Sequence, residues 1–253
     1  MKFIGQERII KEINILLPQI RDRDLKMNFL LRGKSGYGKT TLGLKMCCYI
    51  SNGNYQYFFG DSDILVEKQR KVIFIDEIHL LEKPEMLYKM LDDKEQIFIF
   101  ATNEYSNLKE PLENRCTVYT FEDYTKDELL TIARNNLTSD FSKEMLEKVC
   151  DASQNNPRKI QNICIRLDAI SNSIPIRNIV ELDYVIEKIL GIINGMDVMT
   201  RKYMEVINEL KVCSLRTLVM LTGINERTIL YEIEPMLLLK KLITITSKGR
   251  SII

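Results

Sequence analysis

The chain has 253 residues, of which 45% are hydrophobic and 28% charged, and its formal net charge is +1. This composition is ordinary for a globular protein, and the near-zero charge gives no bulk signal for nucleic-acid binding, so any such binding must come from a local patch. The first residues, "MKFIGQERII", are too polar for a signal peptide, and the sequence has no apolar run of the roughly 18 residues that a membrane-spanning helix needs. We therefore expect no membrane association and a cytoplasmic protein, in a bacterium or in a virus-infected cell.

Cysteine and histidine usage argues against a zinc site. Six cysteines are scattered without a CxxC pair, and His79 is the single histidine. Zinc sites need clustered thiolates and imidazoles, so we interpret the cysteines as reduced thiols in or near the core. For His79 we favour a structural polar contact over a catalytic role.

The first part of the chain alternates strand-like and helical stretches. Short runs rich in β-branched and aromatic residues predict strands at residues 29–33, 55–59, 72–76, 97–103 and 116–121. Strands that alternate with helices indicate an α/β fold in which a parallel sheet lies between helices.

The remainder of the chain divides into two further segments. The first has only helical periodicity, and its stretch "TKDELLTIARNNL" begins with a capping box of Thr125 and Glu128. In the second, three helical stretches precede "ITITSKGRSII", which has the pattern of a hairpin. We predict a small helical domain followed by a winged helix.

A phosphate-binding motif follows the first predicted strand. "GKSGYGKT", residues 33–40, fits GxxxxGK[ST] and precedes a helix predicted at residues 41–50. Its glycines let the backbone wrap phosphates at a helix N-terminus; Lys39 would reach the β- and γ-phosphates of ATP, and Thr40 would bind Mg²⁺. The predicted nucleotide-binding residues here are Gly33, Lys34, Ser35, Gly36, Tyr37, Gly38, Lys39, Thr40 and Thr41.

Polar residues end two of the buried strands. Asp76 and Glu77 follow "VIFI", and Asn103 ends "IFIFATN". Asp76 suits a second contact to Mg²⁺, and Glu77 can orient and deprotonate a water, a function that a protein that only binds nucleotide would not need. Asn103 can hydrogen-bond the γ-phosphate or that water. The three residues together predict an ATPase.

These residues resemble those of the AAA+ ATPase superfamily, and nearly the whole chain is similar to the RuvB family, the motor that drives branch migration of Holliday junctions. The similar stretches are "FIGQERI", "GYGKTTL", "FIDEIHLL", "EPLENRC", "YTKDELLTIARNN", "NPRKI", "GMDVMTRKYME" and "YEIEPMLLLKKLITITSKGR". The resemblance implies a AAA+ P-loop domain at residues 1–121, a helical lid at 122–193 and a C-terminal winged-helix domain at 194–253.

The same resemblance implies further site residues and an assembly. Arg115 matches the arginine finger, which would reach the γ-phosphate of a neighbouring subunit in a homo-oligomer, a hexameric ring, and Arg158 matches the sensor-2 arginine of the lid. The residues that match the adenine pocket are Ile4, Gly5, Gln6 and Tyr124.

The chain also departs from this family. Only "KMLDDKEQ", residues 89–96, joins the helix after Asp76 to the next strand, which is too short for the family's projecting hairpin that docks on RuvA. We therefore predict that a RuvA-type partner is not used. The stretch 61–71 is abbreviated as well, and Asn156 stands where the family has a glycine before the sensor-2 "PR".

The predicted winged helix is modestly basic. Residues 196–253 hold nine basic and six acidic side chains, and Lys248 and Arg250 flank Gly249 in the hairpin as candidate contacts to DNA phosphates. The alternative is a module that contacts protein. Three functions stay open from the sequence: a ring-forming ATPase that moves on or remodels duplex or branched DNA, a helicase-type or clamp-loader-type ATP switch, and an assembly ATPase with a protein client.

Overall fold

The computed structural model describes residues 3–69, 71–93, 95–104 and 108–253. They form two compact units, one of residues 1–132 with 156–158 and the other of residues 133–155 with 159–253. Within the described ranges, no helix is both long enough and apolar enough to cross a lipid bilayer. The three-domain boundaries at residues 121 and 193 stay a prediction.

The first unit is built on a parallel five-stranded sheet of order β2-β3-β4-β1-β5. Each strand begins and ends within one residue of its predicted position, which confirms the α/β fold. The strands are β1 (Phe29–Arg32), β2 (Tyr55–Phe59), β3 (Val72–Asp76), β4 (Ile97–Thr102) and β5 (Thr117–Thr120).

The central strands are apolar on both faces because helices cover both. Every residue of β3 and β4 is buried, as expected for parallel strands covered on both sides. Helices α1 (Glu7–Asp22) and α2 (Lys39–Ser51) pack on one face, and α3 (Glu85–Asp93) packs on the other. The carboxyl ends of the strands therefore share one edge, where ligands of such sheets bind.

Two helix starts in this unit have clear local causes. Helix α2 begins at Lys39, two residues earlier than predicted, because Gly38 ends the preceding loop in a left-handed conformation with φ 87°. In α5 (Lys126–Asn135) the predicted capping box is confirmed: Glu128 Oε2 accepts from the Thr125 N–H at 2.7 Å, and Thr125 Oγ1 accepts from the Glu128 N–H at 3.3 Å. A short helix, α4 (Glu110–Glu113), precedes β5.

Helix α3 runs almost directly into β4. The helix ends at Asp93 and the strand begins at Ile97, and the described residues between them, Glu95 and Gln96, form a bend. A two-stranded projection cannot be built in a connection of this length.

The second unit is helical apart from one hairpin. Its lid part holds α6 (Lys143–Ala152), α7 (Pro157–Ser171, whose first residues belong to the first unit) and α8 (Ile179–Tyr184), which continues as a π-helical turn over Val185–Ile189.

The C-terminal part is a winged helix, as predicted. Two helices, α9 (Val198–Leu210) and α10 (Leu215–Thr222), precede a third helical stretch, and the antiparallel strands β6 (Ile243–Thr246) and β7 (Gly249–Ile252) close the domain. The third stretch consists of α11 (Glu226–Thr228), a π-helical turn (Ile229–Ile233) and α12 (Glu234–Leu239). Pro235, which has no N–H to donate, explains the irregular turn.

Candidate active site

The phosphate-binding loop needs its glycines for two reasons. Gly36 and Gly38 have φ values of 81° and 87°, in the left-handed region that favours glycine. A Cβ on Gly36 would lie 2.4 Å from Asn156 Oδ1, and a Cβ on Gly38 would lie 2.8 Å from the ring of Phe3. The loop backbone is therefore in close contact with neighbouring side chains on its outer side.

Lys39 is buried at the start of α2. Its ammonium donates to the carbonyl oxygens of Gly33 at 2.8 Å and Lys34 at 2.9 Å. Burial lowers the pKa of Lys39 to about 8, although the carboxylates of Glu77 and Asp76 act in the opposite direction. An ammonium in this position suits the phosphate oxygens of a nucleotide.

Thr40 and Asp76 meet at the end of β3. The Thr40 hydroxyl donates to Asp76 Oδ2 at 2.7 Å, and the hydroxyl of Tyr57 lies 3.4 Å from the same oxygen. Hydroxyl and carboxylate oxygens are the ligands that Mg²⁺ prefers, so the donor set fits this ion and the two predicted ligands lie together. Tyr57 was missed because it lies in β2, outside any motif.

Glu77 has a strained backbone and a buried carboxylate oxygen that lies 3.4 Å from His79 Nδ1 but is not hydrogen-bonded. Its φ of 49° is unusual for a residue with a side chain. Its Oε2 atom is buried and has no hydrogen bond. Such an oxygen is free to accept a proton from a water.

Gly60 supports this backbone conformation. Its N–H donates to the Asp76 carbonyl at 2.8 Å, and a Cβ at this position would lie 2.2 Å from the Glu77 carbonyl oxygen. No sequence motif indicates this glycine.

Asn103 follows β4, the neighbour of β3 in the sheet. Its Oδ1 atom is also buried without a hydrogen bond. Buried polar atoms are normally hydrogen-bonded, so buried oxygens without a hydrogen bond on both Glu77 and Asn103 favour side chains placed for a substrate rather than for the fold.

The predicted adenine-pocket residues are packed against each other and against the phosphate-binding loop. The Gln6 amide pairs with the backbone of Glu122, donating at 2.8 Å and accepting at 2.9 Å. A Cβ on Gly5 would lie 2.6 Å from the ring of Tyr124, whose hydroxyl donates to the Tyr37 carbonyl at 3.0 Å. Ile4, which precedes Gly5, is half-buried.

Asp123 ties the loop to the segment that leads into α5, a contact that the sequence did not indicate. Its Oδ1 accepts from Lys34 Nζ at 2.5 Å and from the Tyr37 hydroxyl at 3.0 Å. The hydrogen bond from Lys34 is the main cause of the lowered pKa of Asp123. Thr41 lies exposed on the first turn of α2.

Asn156 links the loop to the start of α7. Its Nδ2 donates to the Ser35 carbonyl at 3.0 Å, and its Oδ1 accepts from the Arg158 N–H at 3.0 Å. Arg158 itself is exposed, and its charge contributes to lowering the pKa of Lys39. The position of Arg158 beside the phosphate-binding loop is compatible with the predicted sensor role, which stays a prediction.

Arg115 lies apart from these residues. Its guanidinium donates to both carboxylate oxygens of Asp92, at 2.8 and 3.0 Å, and to the Pro111 carbonyl at 2.8 Å. It also lies over the ring of Tyr88, 4.8 Å from its centroid. In the described part of the chain, these contacts are with α3, α4 and their surroundings rather than with the phosphate-binding loop.

The two predicted wing cations have different environments. Lys248 is exposed. Arg250 is only 15% exposed, and its Nε donates to Glu234 Oε1 at 2.8 Å. Arg250 is therefore held in an ion pair with Glu234, and its contact with DNA stays a prediction.

Known protein families match the N-terminal and C-terminal parts of the chain. The family model of the Holliday junction DNA helicase RuvB P-loop domain matches residues 1–114, and that of the RuvB C-terminal winged helix domain matches residues 193–253. The Holliday junction branch migration complex subunit RuvB of Mycoplasmopsis pulmonis is 28% identical, over 99% of this chain and 92% of its own length. Its namesake in Mesomycoplasma hyopneumoniae is 26% identical, over 99% of this chain and 91% of its own length. A solved structure of the Thermotoga maritima RuvB Holliday junction branch migration motor has a TM-score of 0.82 and 25% identity, and covers 99% of this chain and 93% of that one.

Proposed function

We propose, from the premise that this chain is a RuvB-like AAA+ ATPase, that it couples ATP hydrolysis to movement on, or remodelling of, duplex or branched DNA. The observation that carries the proposal is that Glu77 and Asn103, beside a phosphate-binding loop, each have a buried side-chain oxygen without a hydrogen bond. A winged helix in the same chain supplies a module that commonly contacts DNA.

The residues divide the chemistry of hydrolysis among them. Lys39 would bind the β- and γ-phosphates of ATP, and Glu77 would orient the attacking water and take its proton. Asn103 would hold that water or a γ-phosphate oxygen. Thr40 and Asp76 would hold a magnesium ion, which supplies charge neutralisation at the phosphate oxygens.

Arg115 would act on a neighbouring subunit. Its position away from its own phosphate-binding loop supports a role in trans, in a homo-oligomer that the resemblance makes a hexameric ring. A finger of this kind contributes a factor of ~10³–10⁵ to the rate of hydrolysis.

The wing would contact DNA directly, and no RuvA-type partner would be needed. Lys248 is exposed at the hairpin and can pair with a phosphate. The direct connection from α3 to β4 supports a motor that does not dock through a projecting hairpin.

A second candidate is an ATP-dependent switch or assembly ATPase with a protein client. Arg250 is neutralised by Glu234, which reduces the positive charge of the wing. Large apolar side chains are exposed in the same domain, with Met220 at 74% and Leu239 at 78%, and such residues favour protein contacts.

The deciding experiment is steady-state ATP hydrolysis without nucleic acid, with duplex DNA and with a four-way junction, each at two salt concentrations. For a DNA motor we expect DNA to raise kcat, and the stimulation to fall with salt because phosphate contacts release counterions. The Glu77→Gln variant is the control: it should bind ATP and hydrolyse none. Basal turnover that neither DNA changes would contradict the motor and favour the protein client.

A further inference from the structure

His79 occupies a position that a merely structural histidine would not need. It lies in the 3₁₀ turn Ile78–Leu80, directly after Glu77, and its side chain is 4% exposed. One ring therefore lies between the residue that would activate water and the strand end that carries Asn103.

The ring is hydrogen-bonded to the end of β4. His79 Nδ1 lies 3.0 Å from Thr102 Oγ1. The Thr102 hydroxyl has one proton, which points to the Glu104 carbonyl at 3.2 Å, while its oxygen accepts from the Glu104 N–H at 3.1 Å. With that proton used, Nδ1 of His79 is assigned as the donor. His79 thus supports the turn in which Asn103 sits, between Thr102 and Glu104.

The same ring nitrogen also faces Glu77. Nδ1 lies 3.4 Å from Glu77 Oε2, and Nε2 lies 3.6 Å from a carboxylate oxygen of Glu104. Glu77 Oε2 has no hydrogen bond in this arrangement. A small rotation of the Glu77 carboxylate would transfer the Nδ1–H bond from Thr102 to Glu77.

We propose that His79 is a positioning residue for ATP hydrolysis, which shares its Nδ1–H between Thr102 and Glu77 and so sets the placement of the Glu77 carboxylate. While the N–H is bonded to Thr102, Glu77 keeps a free oxygen for the water proton. When the carboxylate takes the N–H, that oxygen is occupied and cannot accept from the water. The inference rests on the proposed ATP hydrolysis and is independent of the client.

Three substitutions of His79 test whether an N–H donor at the Nδ1 position is needed for hydrolysis. His79→Asn places an amide N–H near the Nδ1 position, His79→Gln places it near Nε2, and His79→Ala removes it. We expect kcat to fall about 10- to 100-fold in the Ala and Gln variants, because positioning of a base contributes on this scale, and to stay within about threefold in the Asn variant. KM and the dissociation constant for ATP should not change in any of them, since the phosphate-binding loop is untouched.

A double-mutant cycle with Thr102→Val tests whether Thr102 and Glu77 share the Nδ1–H of His79. This substitution keeps the shape of the side chain and removes the hydroxyl, and its effect on kcat should disappear in the His79→Ala background. Effects that multiply independently, or a His79→Ala variant with the kcat of the unchanged protein, would overturn the proposal. If His79→Ala fails to fold in a thermal unfolding assay, the comparison of Asn with Gln decides, and equal kcat values for those two would overturn it.

The result separates this inference from the proposed function. Hydrolysis that depends on His79 but not on DNA would contradict only the DNA motor. Hydrolysis that DNA stimulates but that does not depend on His79 would contradict only the positioning role.

Discussion

At the scale of single residues, the candidate site depends on a strained turn. Glu77 adopts a left-handed conformation that costs about 1–3 kcal/mol for a residue with a Cβ. The neighbouring Gly60 allows it, because its N–H bonds the Asp76 carbonyl and its missing side chain leaves space for the Glu77 carbonyl. The direction of the Glu77 carboxylate is therefore set by a residue of another loop.

Gly60→Ala should separate catalysis from binding. The added Cβ would lie 2.2 Å from the Glu77 carbonyl oxygen and must displace it. We expect kcat to fall about tenfold or more, because small errors in the position of a base are costly, with ATP affinity nearly unchanged. Steady-state kinetics and ATP titration measure the two quantities.

Gly53→Ala is the matched control for Gly60→Ala. Gly53 has a φ of 87°, and no atom lies within 4 Å of the Cβ position, so this change should lower the free energy of unfolding by about 1 kcal/mol through backbone strain and leave kcat unchanged. Equal kcat values for the two variants would show that Gly60 does not position Glu77.

At the scale of secondary-structure elements, a buried ion pair joins three parts of the winged helix. Glu234, at the start of α12, is 3% exposed and accepts from Arg250 of β7 and from the Tyr203 hydroxyl of α9, the latter at 2.9 Å. Burial, the largest cause, and the nearby Glu234 both raise the pKa of Tyr203, so its hydroxyl stays a donor. The wing is thus fixed to the helices by polar contacts within an apolar core.

Arg250→Ala and Lys248→Ala should affect different properties. Removal of Arg250 leaves Glu234 buried without its cation, so we expect a loss of about 3–5 kcal/mol in the unfolding free energy of this domain. Loss of the exposed Lys248 should change it by less than about 0.5 kcal/mol. Denaturant unfolding followed by a probe in the winged helix provides the comparison, and equal stabilities would contradict the structural role of Arg250.

The salt dependence of DNA binding by Lys248→Ala tests the predicted phosphate contact. If Lys248 contacts a phosphate, Lys248→Ala should reduce the slope of log K against log salt by about 1. An unchanged slope would remove Lys248 from the DNA contacts.

At the scale of the whole molecule, the role proposed for Arg115 requires a second copy of the chain. Arg115 pairs with Asp92 at the surface, where solvent screening makes an ion pair weak. A negatively charged triphosphate on a neighbouring subunit could therefore replace Asp92 as its partner. The backbone of Arg115 is better anchored, since the buried Asn28 donates to its carbonyl at 3.4 Å.

Mixing of two inactive variants tests whether the finger acts in trans. Arg115→Ala keeps an intact Glu77, and Glu77→Gln keeps an intact finger, so each alone should hydrolyse little ATP. In equimolar mixed oligomers, about a quarter of the head-to-tail interfaces would combine both intact residues, and ATPase activity should recover to roughly that fraction. If mixed assembly is verified by differential tagging and activity does not recover, Arg115 acts on the ATP of its own subunit.

Local patterns in the sequence were sufficient for much of this protein. The five strands, the capping box at Thr125 and the loop at residues 33–40 each have a signal within a few neighbouring residues, and the structure has all of them. The start of α2 was placed two residues late, because the left-handed Gly38 determines it rather than the apolar periodicity.

Only the tertiary structure decided which side chains meet. Asn156 contacts Ser35 across 121 positions of sequence, and Arg250 contacts Glu234 across 16. The contacts of His79 with Thr102, and the closeness of Gly60 to the Glu77 backbone, had no signal in the sequence. The sequence determined the elements and the chemistry of the ATPase, since these depend on periodicity and on residue type. The packing of distant segments determined how the Glu77 backbone is held and that Arg250 pairs with Glu234, because such contacts leave no pattern along the chain.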